Sequence, residues 1–273
     1  MELSATDRGT ALNRCRHKGP LYVQKPFYPE GRELAHIYLL HPPGGLVSGD
    51  DLTIDILAKP HSQSLITTPG AARAYRARDD SPVQRQTIQL SLEKGATMEW
   101  LPMETIIYDG AAAELTTHVE LAEDSTFMGW EVTCLGLPAS QQLMKKGYFT
   151  QRYQLSRQGI PIFIDHLHFT ADNQALFKGT AGMQGKTASG FFIMGPFLCD
   201  HDEQQILLQQ LRDIVARHSL DQHIAITMMN GFCIARYLGE SANQARDGFS
   251  MIWQQLRPVL LERKACAPRI WLT

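Results

Sequence analysis

One turn-rich stretch, residues 38–50 with the sequence YLLHPPGGLVSGD, most constrains what this chain can fold into. Its two prolines have no backbone N–H and its three glycines accept positive φ without a Cβ clash, so neither a helix nor a central strand can continue through it. Its leucines and Val47 are too apolar for a solvated loop. We therefore expect the turn to pack onto a core, with only the polar residues exposed, namely His41, Ser48, Asp50 and Asp51. The alternative is a rigid hairpin corner whose prolines and glycines serve shape alone.

Segments in which apolar and polar residues alternate follow this turn along much of the chain. Residues 52–57 (LTIDIL) have the pattern of a strand with one solvated face, and turn signals such as Asp109-Gly110 separate successive segments. Strands about ten residues apart with no helices between them indicate antiparallel or coiled β-structure rather than βαβ units. We predict strands at residues 21–24, 35–40, 52–57, 64–68, 86–92, 97–101, 105–108, 116–121, 127–134, 148–155 and 160–167, after a start that looks disordered.

Helix signals come late in the chain. Asp202 with Gln205 forms a capping-box pair before an apolar stripe, and Ser241 with Gln244 repeats the pair before a second stripe. Pro258 is expected to kink or end the second helix. Between the helices, Asn230-Gly231 suits the type I′ turn of a β-hairpin.

The whole chain, residues 1–273, is predicted to form a single domain, since it shows no linker, repeat or low-complexity stretch. The fold class is mainly β, with two α-helices in the C-terminal half. The apolar tail, residues 268–273, is expected to dock rather than fray.

Composition excludes several classes of function. The net charge is −2 and the basic residues are dispersed, which argues against a nucleic-acid partner. The polar start lacks a signal pattern and the longest apolar run, residues 191–199, is broken by Gly195 and Pro196, so we expect a cytoplasmic protein with no membrane span. The five cysteines are far apart and form no C-x-x-C pair, which predicts buried, reduced thiols rather than disulfides or a thiolate zinc site.

Motifs for catalysis are incomplete. The triplet Gly185-Lys186-Thr187 resembles the end of a phosphate loop, but that loop needs glycine where Thr180 stands. The chain contains neither the G-x-S-x-G motif of hydrolases nor the H-E-x-x-H motif of zinc proteases. The sequence therefore gives little support to an enzymatic activity.

Two sets of side chains offer metal chemistry. His166 and His168 would point to one face of a strand, where two imidazoles suit nickel or zinc; the alternative is a polar strand edge. Four carboxylates lie beside apolar or aromatic residues, and such groups either line a wet cavity, pair with a cation or cap a backbone. They are Glu99, Glu104, Asp109 and Glu131.

Seven blocks, in order and at matching spacing, resemble the urease accessory protein D family (UreD, also called UreH). The blocks are GPLYVQKPFYPEG, HIYLLHPPGGLVSGD, TTPGA, EWLPMETIIYDGA, GWEVTCLGLPAS, RYLG and PRIWLT. The resemblance implies strands wound in a helical, β-helix-like arrangement with two helices. It also implies a non-enzymatic scaffold and nickel conduit that acts with accessory proteins F and G, G being the GTPase. That complex would deliver Ni²⁺ to apo-urease, and this chain would hold nickel only transiently, with no permanent cofactor.

A nickel route follows from this resemblance. Oxygen ligands release nickel more readily than thiolates do, so they suit a conduit. The residues implied as route ligands are Asp50, Glu104, Glu131, Asp165, His166 and His168, with Thr67 and Thr68 as candidate channel-lining residues. The sequence departs from the family pattern at Met103, where glutamine is usual, and at Asp165, where glutamate is expected.

The surface for accessory protein F is expected near the C-terminal helix and tail. Trp253 and Trp271, with neighbouring leucines, exceed what a two-helix layer needs to bury, and the alternative is that they complete the core. Exposed apolar surface would make the chain poorly soluble alone. Two other classes stay open: a stand-alone nickel-binding or storage protein, and an enzyme with a concave pocket of titratable groups.

Overall fold

A computed structural model of the chain describes residues 1–80 and 82–272, in which eighteen strands and three α-helices occur. The strands are β1 (Glu2–Thr6), β2 (Gly9–Arg14), β3 (Tyr22–Val23), β4 (Leu34–Leu40), β5 (Asp51–Ala58), β6 (Gln63–Thr67), β7 (Ala72–Ala74), β8 (Gln84–Leu92), β9 (Thr97–Trp100), β10 (Thr105–Ile107), β11 (Ala112–Leu121), β12 (Thr126–Leu137), β13 (Gln142–Leu143), β14 (Tyr148–Arg157), β15 (Ile160–Thr170), β16 (Ala188–Gly195), β17 (Ile224–Met229) and β18 (Phe232–Gly239). The helices are the one-turn α1 (Gln174–Lys178) and the longer α2 (His201–Arg217) and α3 (Ala242–Leu261).

The strands form two open sheets. The smaller has the order β15-β14-β11-β8-β5-β1-β2, and the larger has the order β17-β18-β16-β12-β9-β6-β4-β3, with β7, β10 and β13 attached. Between β4 and β14 the chain passes repeatedly from one sheet to the other, and the main strands that follow one another within a sheet pair in parallel, such as β5 with β8 and β6 with β9. The later strands, β15 to β18, pair antiparallel. This alternation is the coiled winding that the family resemblance implied, so the mainly β fold class is confirmed.

The larger sheet is the middle of three layers. Along β16, Phe191 and Ile193 pack towards the smaller sheet, whereas Phe192 and Met194 pack towards α2 and α3. Side chains of a strand alternate between faces, so a strand covered on both sides reads as a continuous apolar run. A polar side chain in this sheet therefore needs a partner inside the protein.

The turn at residues 38–50 packs onto the core, as predicted. Leu46 is 4% exposed, and a Cβ on Gly45 would lie 2.6 Å from the carbonyl oxygen of Arg73, so only glycine permits this approach. Gly44 takes the left-handed conformation, with φ of 76°. The prediction that Val47 is buried is wrong: it is 52% exposed, because the turn presents this side chain to solvent.

Three expectations about local structure need correction. The start of the chain is not disordered, because β1 and β2 form a hairpin and β1 also pairs in parallel with β5. Helix α2 begins two residues earlier than predicted, at the N-cap Asp200, whose capping box is closed by Glu203. Of the two outcomes predicted at Pro258, an end of the helix is wrong, because α3 continues to Leu261 and its last turn packs against the core.

Other local predictions hold. Ser241 caps α3 by accepting a hydrogen bond from the backbone N–H of Gln244. Asn230 and Gly231 both have positive φ, as a type I′ turn requires. The tail docks through Trp271, which packs against the core, while Thr273, its last residue, lies outside the described residues.

Cysteine burial is mixed. Cys134 and Cys233 are buried free thiols, as expected, whereas Cys15 is exposed. In the part of the chain that the structure describes, no helix has the length and apolar character needed to cross a membrane.

A buried ionic network fastens α3 to the rest of the fold. The guanidinium of Arg257 donates to Glu99 on β9 at 2.9 Å and to Glu30, in the loop before β4, at 2.6 Å. The indole N–H of Trp253 donates to Glu99 at 2.6 Å. Burial alone would lower the pKa of Arg257, but its hydrogen bonds with Glu30 and the charge of Glu99 raise it instead. Arg257 therefore stays charged and joins three distant segments.

We predict that Arg257→Met lowers the free energy of unfolding by about 3–5 kcal/mol, because it leaves the carboxylate of Glu99 buried without its cation. Urea denaturation followed by circular dichroism measures this change. Arg217→Met, on an exposed position of α2, is the matched control and should have little effect. A loss below about 1 kcal/mol in the Arg257 variant would contradict the prediction.

Candidate functional site

Two cavities adjoin inside the protein. The large cavity, about 910 Å³, is lined in part by the exposed His168, and the small cavity, about 230 Å³, in part by the exposed Gly70. Two residues line both cavities, Glu131 on β12 and Gln151 on β14. These two shared residues are called the junction.

Four polar side chains form a hydrogen-bonded chain at the junction. Thr133 donates to the Gln151 carbonyl oxygen at 2.6 Å, and the Gln151 amide donates to one carboxylate oxygen of Glu131. Thr117 on β11 donates to the other carboxylate oxygen at 2.5 Å. Both oxygens of Glu131 are thus held by neutral donors.

The carboxyl of Glu131 is strongly perturbed. Burial raises its pKa to about 7, the bonds from Thr117 and Gln151 offset only part of this effect, and the charge of Asp165 adds to it. Asp165 itself pairs with Arg236, so that cation is engaged elsewhere. Glu131 is partly exposed and, within the described ranges, accepts only from neutral donors, so a divalent cation would act strongly on its carboxylate.

The sequence places these polar groups on two neighbouring strands, where the strand register offsets them by two residues. Thr117 lies between Leu115 and Val119 along β11, and Gln151 lies between Phe149 and Tyr153 along β14; the four flanking side chains are buried. The inward face of each strand is therefore apolar on both sides of one polar residue. Sequence analysis missed Thr117 and Gln151, although the same interruption in two neighbouring strands was a signal that could have revealed them.

The predicted histidine pair lines the large cavity. His166 and His168 stack with ring centroids 6.1 Å apart, and the Nε2 atom of His166 lies 3.0 Å from the hydroxyl of Thr150. Asp165 lines the same cavity. Among residues 1–80 and 82–272, no three His, Cys, Asp or Glu side chains converge in a way that could hold a metal ion. The two cavities thus offer separated single donors and one histidine pair.

Of the two predicted threonines, only Thr68 lines the small cavity. Its hydroxyl accepts a hydrogen bond from the backbone N–H of Met103 at 2.9 Å. Thr67 is fully buried and instead donates to the carbonyl of Leu101 at 2.6 Å. The indole N–H of Trp100, another small-cavity residue, has no hydrogen-bond partner within the described ranges.

The remaining carboxylates act as caps or ion pairs. Asp50 accepts from the backbone N–H of Val47 at 2.8 Å and so closes its turn, and Asp109 accepts from the backbone N–H groups of Lys145 and Lys146. Glu104 pairs with Arg246 of α3 at 2.9 Å. Neither Asp50 nor Glu104 is among the residues that line the two cavities.

The two tryptophans proposed for partner binding complete the core. Trp253 is fully buried, and the partly exposed Trp271 packs against both Trp253 and Trp130. The indole N–H of Trp271 donates to Thr67 at 2.8 Å. Leu272, beside it, is 89% exposed and is the apolar side chain of the tail that faces solvent.

These features define a β-rich protein with two adjoining cavities that share polar lining residues. A family model described as UreD urease accessory protein matches residues 1–272. The chain is 42% identical to a urease accessory protein UreD of Marinomonas sp. (strain MWYL1), over 99% of this chain and 87% of that protein. It is 41% identical to the protein of the same name from Psychromonas ingrahamii, over 100% and 92% of the two chains. The chain belongs to the UreD family of urease accessory proteins, which confirms the resemblance seen in its sequence blocks.

We predict that the stability difference between the wild type and Glu131→Gln depends on pH. A raised carboxyl pKa stabilises the fold fully below the unfolded value of 4.5, and this contribution is lost as pH rises through about 7. Glutamine does not ionise, so the variant loses no stability in this way as pH rises. Relative to the wild type, the variant should therefore gain up to roughly 3 kcal/mol between about pH 5 and about pH 8.

Chemical denaturation of both proteins across this range measures the effect. Curves of unfolding free energy that stay parallel would contradict it.

Proposed function

We propose that this protein is a urease maturation factor that conducts Ni²⁺ to apo-urease through the passage between its two sheets. The observation that carries this proposal is the pair of cavities that share Glu131 and Gln151. In this proposal accessory proteins F and G assemble with the chain, G supplying the GTPase. The chain contributes the route and the scaffold and no catalytic step.

The donors along the passage suit a cation in transit. The carboxylates of Asp165 and Glu131, the imidazoles of His166 and His168, and the hydroxyl of Thr68 offer oxygen and nitrogen ligands. Such ligands bind nickel, but a single donor at each step retains it weakly. The cation can then move from one to the next.

Asp50 and Glu104 fit a supporting role better than the route itself. Asp50 holds the turn that borders the small cavity through Gly44 and His41, and Glu104 fastens its loop to α3. Replacing Asp50 or Glu104 would therefore change the shape of the passage and would not remove a ligand from the route. Within the proposed route, Glu131 is the ligand where the two cavities adjoin.

Storage is the second class of function considered from sequence. A protein that stores nickel needs convergent ligands that retain the ion, and a structural or catalytic metal site commonly has three or more protein ligands. In the described residues no such group of His, Cys, Asp and Glu occurs. This observation favours transit over storage.

We predict that Glu131→Ala lowers nickel-dependent urease activation by about tenfold or more, equivalent to about 1.4 kcal/mol, because the junction loses its only carboxylate. The assay uses cells that carry all other urease components, with the chain present, deleted, or replaced by the variant alone or combined with Asp50→Ala. Glu123→Ala, at an exposed turn position outside both cavities, is the matched control.

Activity that persists without the chain would overturn the maturation role. Urease activity that is lost when the chain is deleted but persists in the Glu131→Ala variant would overturn the conduit role and leave the scaffold role.

We further predict that accessory protein F docks on the exposed apolar residues beside the tail. Leu272→Asp with Val259→Asp should abolish co-purification with F and leave the melting temperature unchanged, since both side chains are more than half exposed. These substitutions are sharper than deletion of residues 268–273, which would also remove Trp271 from the core. The control is Ile160→Asp, at an exposed position of β15 in the smaller sheet. Retained binding of F by the double variant would exclude this surface.

A further inference from the structure

The orientation of the Gln151 amide is set by its neighbours. Its carbonyl oxygen accepts from Thr133 at 2.6 Å, so its NH₂ group points to the Glu131 carboxylate. Gln151 is 9% exposed and Thr133 is 2% exposed, so water offers them little alternative bonding. The amide is fixed as a donor rather than an acceptor at the junction.

This donor competes with any cation for the same oxygen. A carboxylate oxygen that accepts an amide N–H must release it, or share it, before it can coordinate a metal ion. Thr117 holds the other oxygen in the same way. Both hydroxyl and amide are neutral, so they occupy the carboxylate without neutralising its charge.

The charged and titratable groups that face the junction do not compete with a cation for the Glu131 carboxylate. On β15, Asp165 carries a negative charge that Arg236 of β18 pairs, and on β14 the phenol of Tyr153 is buried with a pKa raised by burial and by Glu131. β16 presents Phe191 opposite Glu131, and β11 presents the hydroxyl of Thr117.

We propose that Gln151 is a positioning residue that sets how readily the passage releases a divalent cation, its amide competing with the cation for the Glu131 carboxylate. This inference rests on the proposed function and names a residue that tunes it. When the cation leaves Glu131, the amide retakes the oxygen, so the junction returns to its closed state. An acidic residue at this position would instead give the cation a second carboxylate.

The test is Gln151→Glu in the full-length chain, with Ni²⁺ itself as the probe. Equilibrium dialysis of the purified protein, co-expressed with its accessory partners, should show an apparent Kd for Ni²⁺ lower by about tenfold or more, because two carboxylates then face one cation. Urease activation should fall in the same variant, since nickel is retained. Gln154→Glu, three residues along the same strand and outside both cavities, is the matched control for the added charge.

A charge-swap variant distinguishes competition for the Glu131 carboxylate from damage to the fold. Glu131→Gln combined with Gln151→Glu restores one carboxylate and one amide at the junction, so nickel retention should return to the wild-type level. Damage to the fold would persist in the double variant instead. If Gln151→Glu yields no folded protein, Gln151→Leu carries the test, because it removes the competing N–H without adding a charge and should also raise retention.

Nickel retention at or below the wild-type level in these single variants would overturn the inference. The proposed function fails on a different result, urease activation that needs no copy of this chain. The two failures are therefore distinguishable.

Discussion

The larger sheet is covered on both faces, and this constraint governs every polar side chain that it carries. Two of its glutamates lie on opposite faces of neighbouring strands, Glu99 towards the helices and Glu131 towards the smaller sheet. Glu99 is paired with Arg257 and accepts from Trp253, so its charge is neutralised by the protein itself. Glu131 has only neutral donors within the described ranges. Burial raises the pKa of both carboxyls, that of Glu131 to about 7. One carboxylate fastens the fold, and the other keeps its capacity for a cation.

Because the partners of Glu99 and Glu131 differ, the face of the larger sheet that carries Glu99 resists rearrangement, whereas the face that carries Glu131 permits it. A buried ion pair loses several kcal/mol when one partner is removed, so the network around Arg257 resists rearrangement. Neutral hydrogen bonds contribute about 1 kcal/mol each and can exchange one at a time. The chain of Thr133, Gln151, Glu131 and Thr117 can therefore rearrange while α3 and β9 stay in place. A passage needs such a movable junction on a fixed support.

Much of the fold could be predicted from sequence because strand alternation and helix caps are local signals. The period of two located most strands, and the hairpin at Asn230-Gly231 and the cap at Ser241 follow from a few neighbouring residues. The winding of strands between two sheets depends on pairing between distant segments, so it came from family resemblance. Glu131 was identified because aromatic and apolar neighbours make a carboxylate conspicuous. Gln151 was missed because one uncharged polar residue in an alternating strand is typical of a solvated face.

The same reasoning explains why only some of the residues predicted for the route line the two cavities. Asp50 and Glu104 lie in distinctive sequence blocks. A block can be distinctive because of any constraint on its turn, including the need to close that turn with a hydrogen bond. Asp50 accepts from Val47 and Glu104 pairs with Arg246, so both carboxylates are already engaged in shaping the small cavity's surroundings. Glu131 differs because no cation of the protein pairs with it in the described ranges. In the proposed conduit, the feature that distinguishes a nickel-binding carboxylate from a structural one is thus the charge of its partner, which three-dimensional packing decides and residue spacing does not.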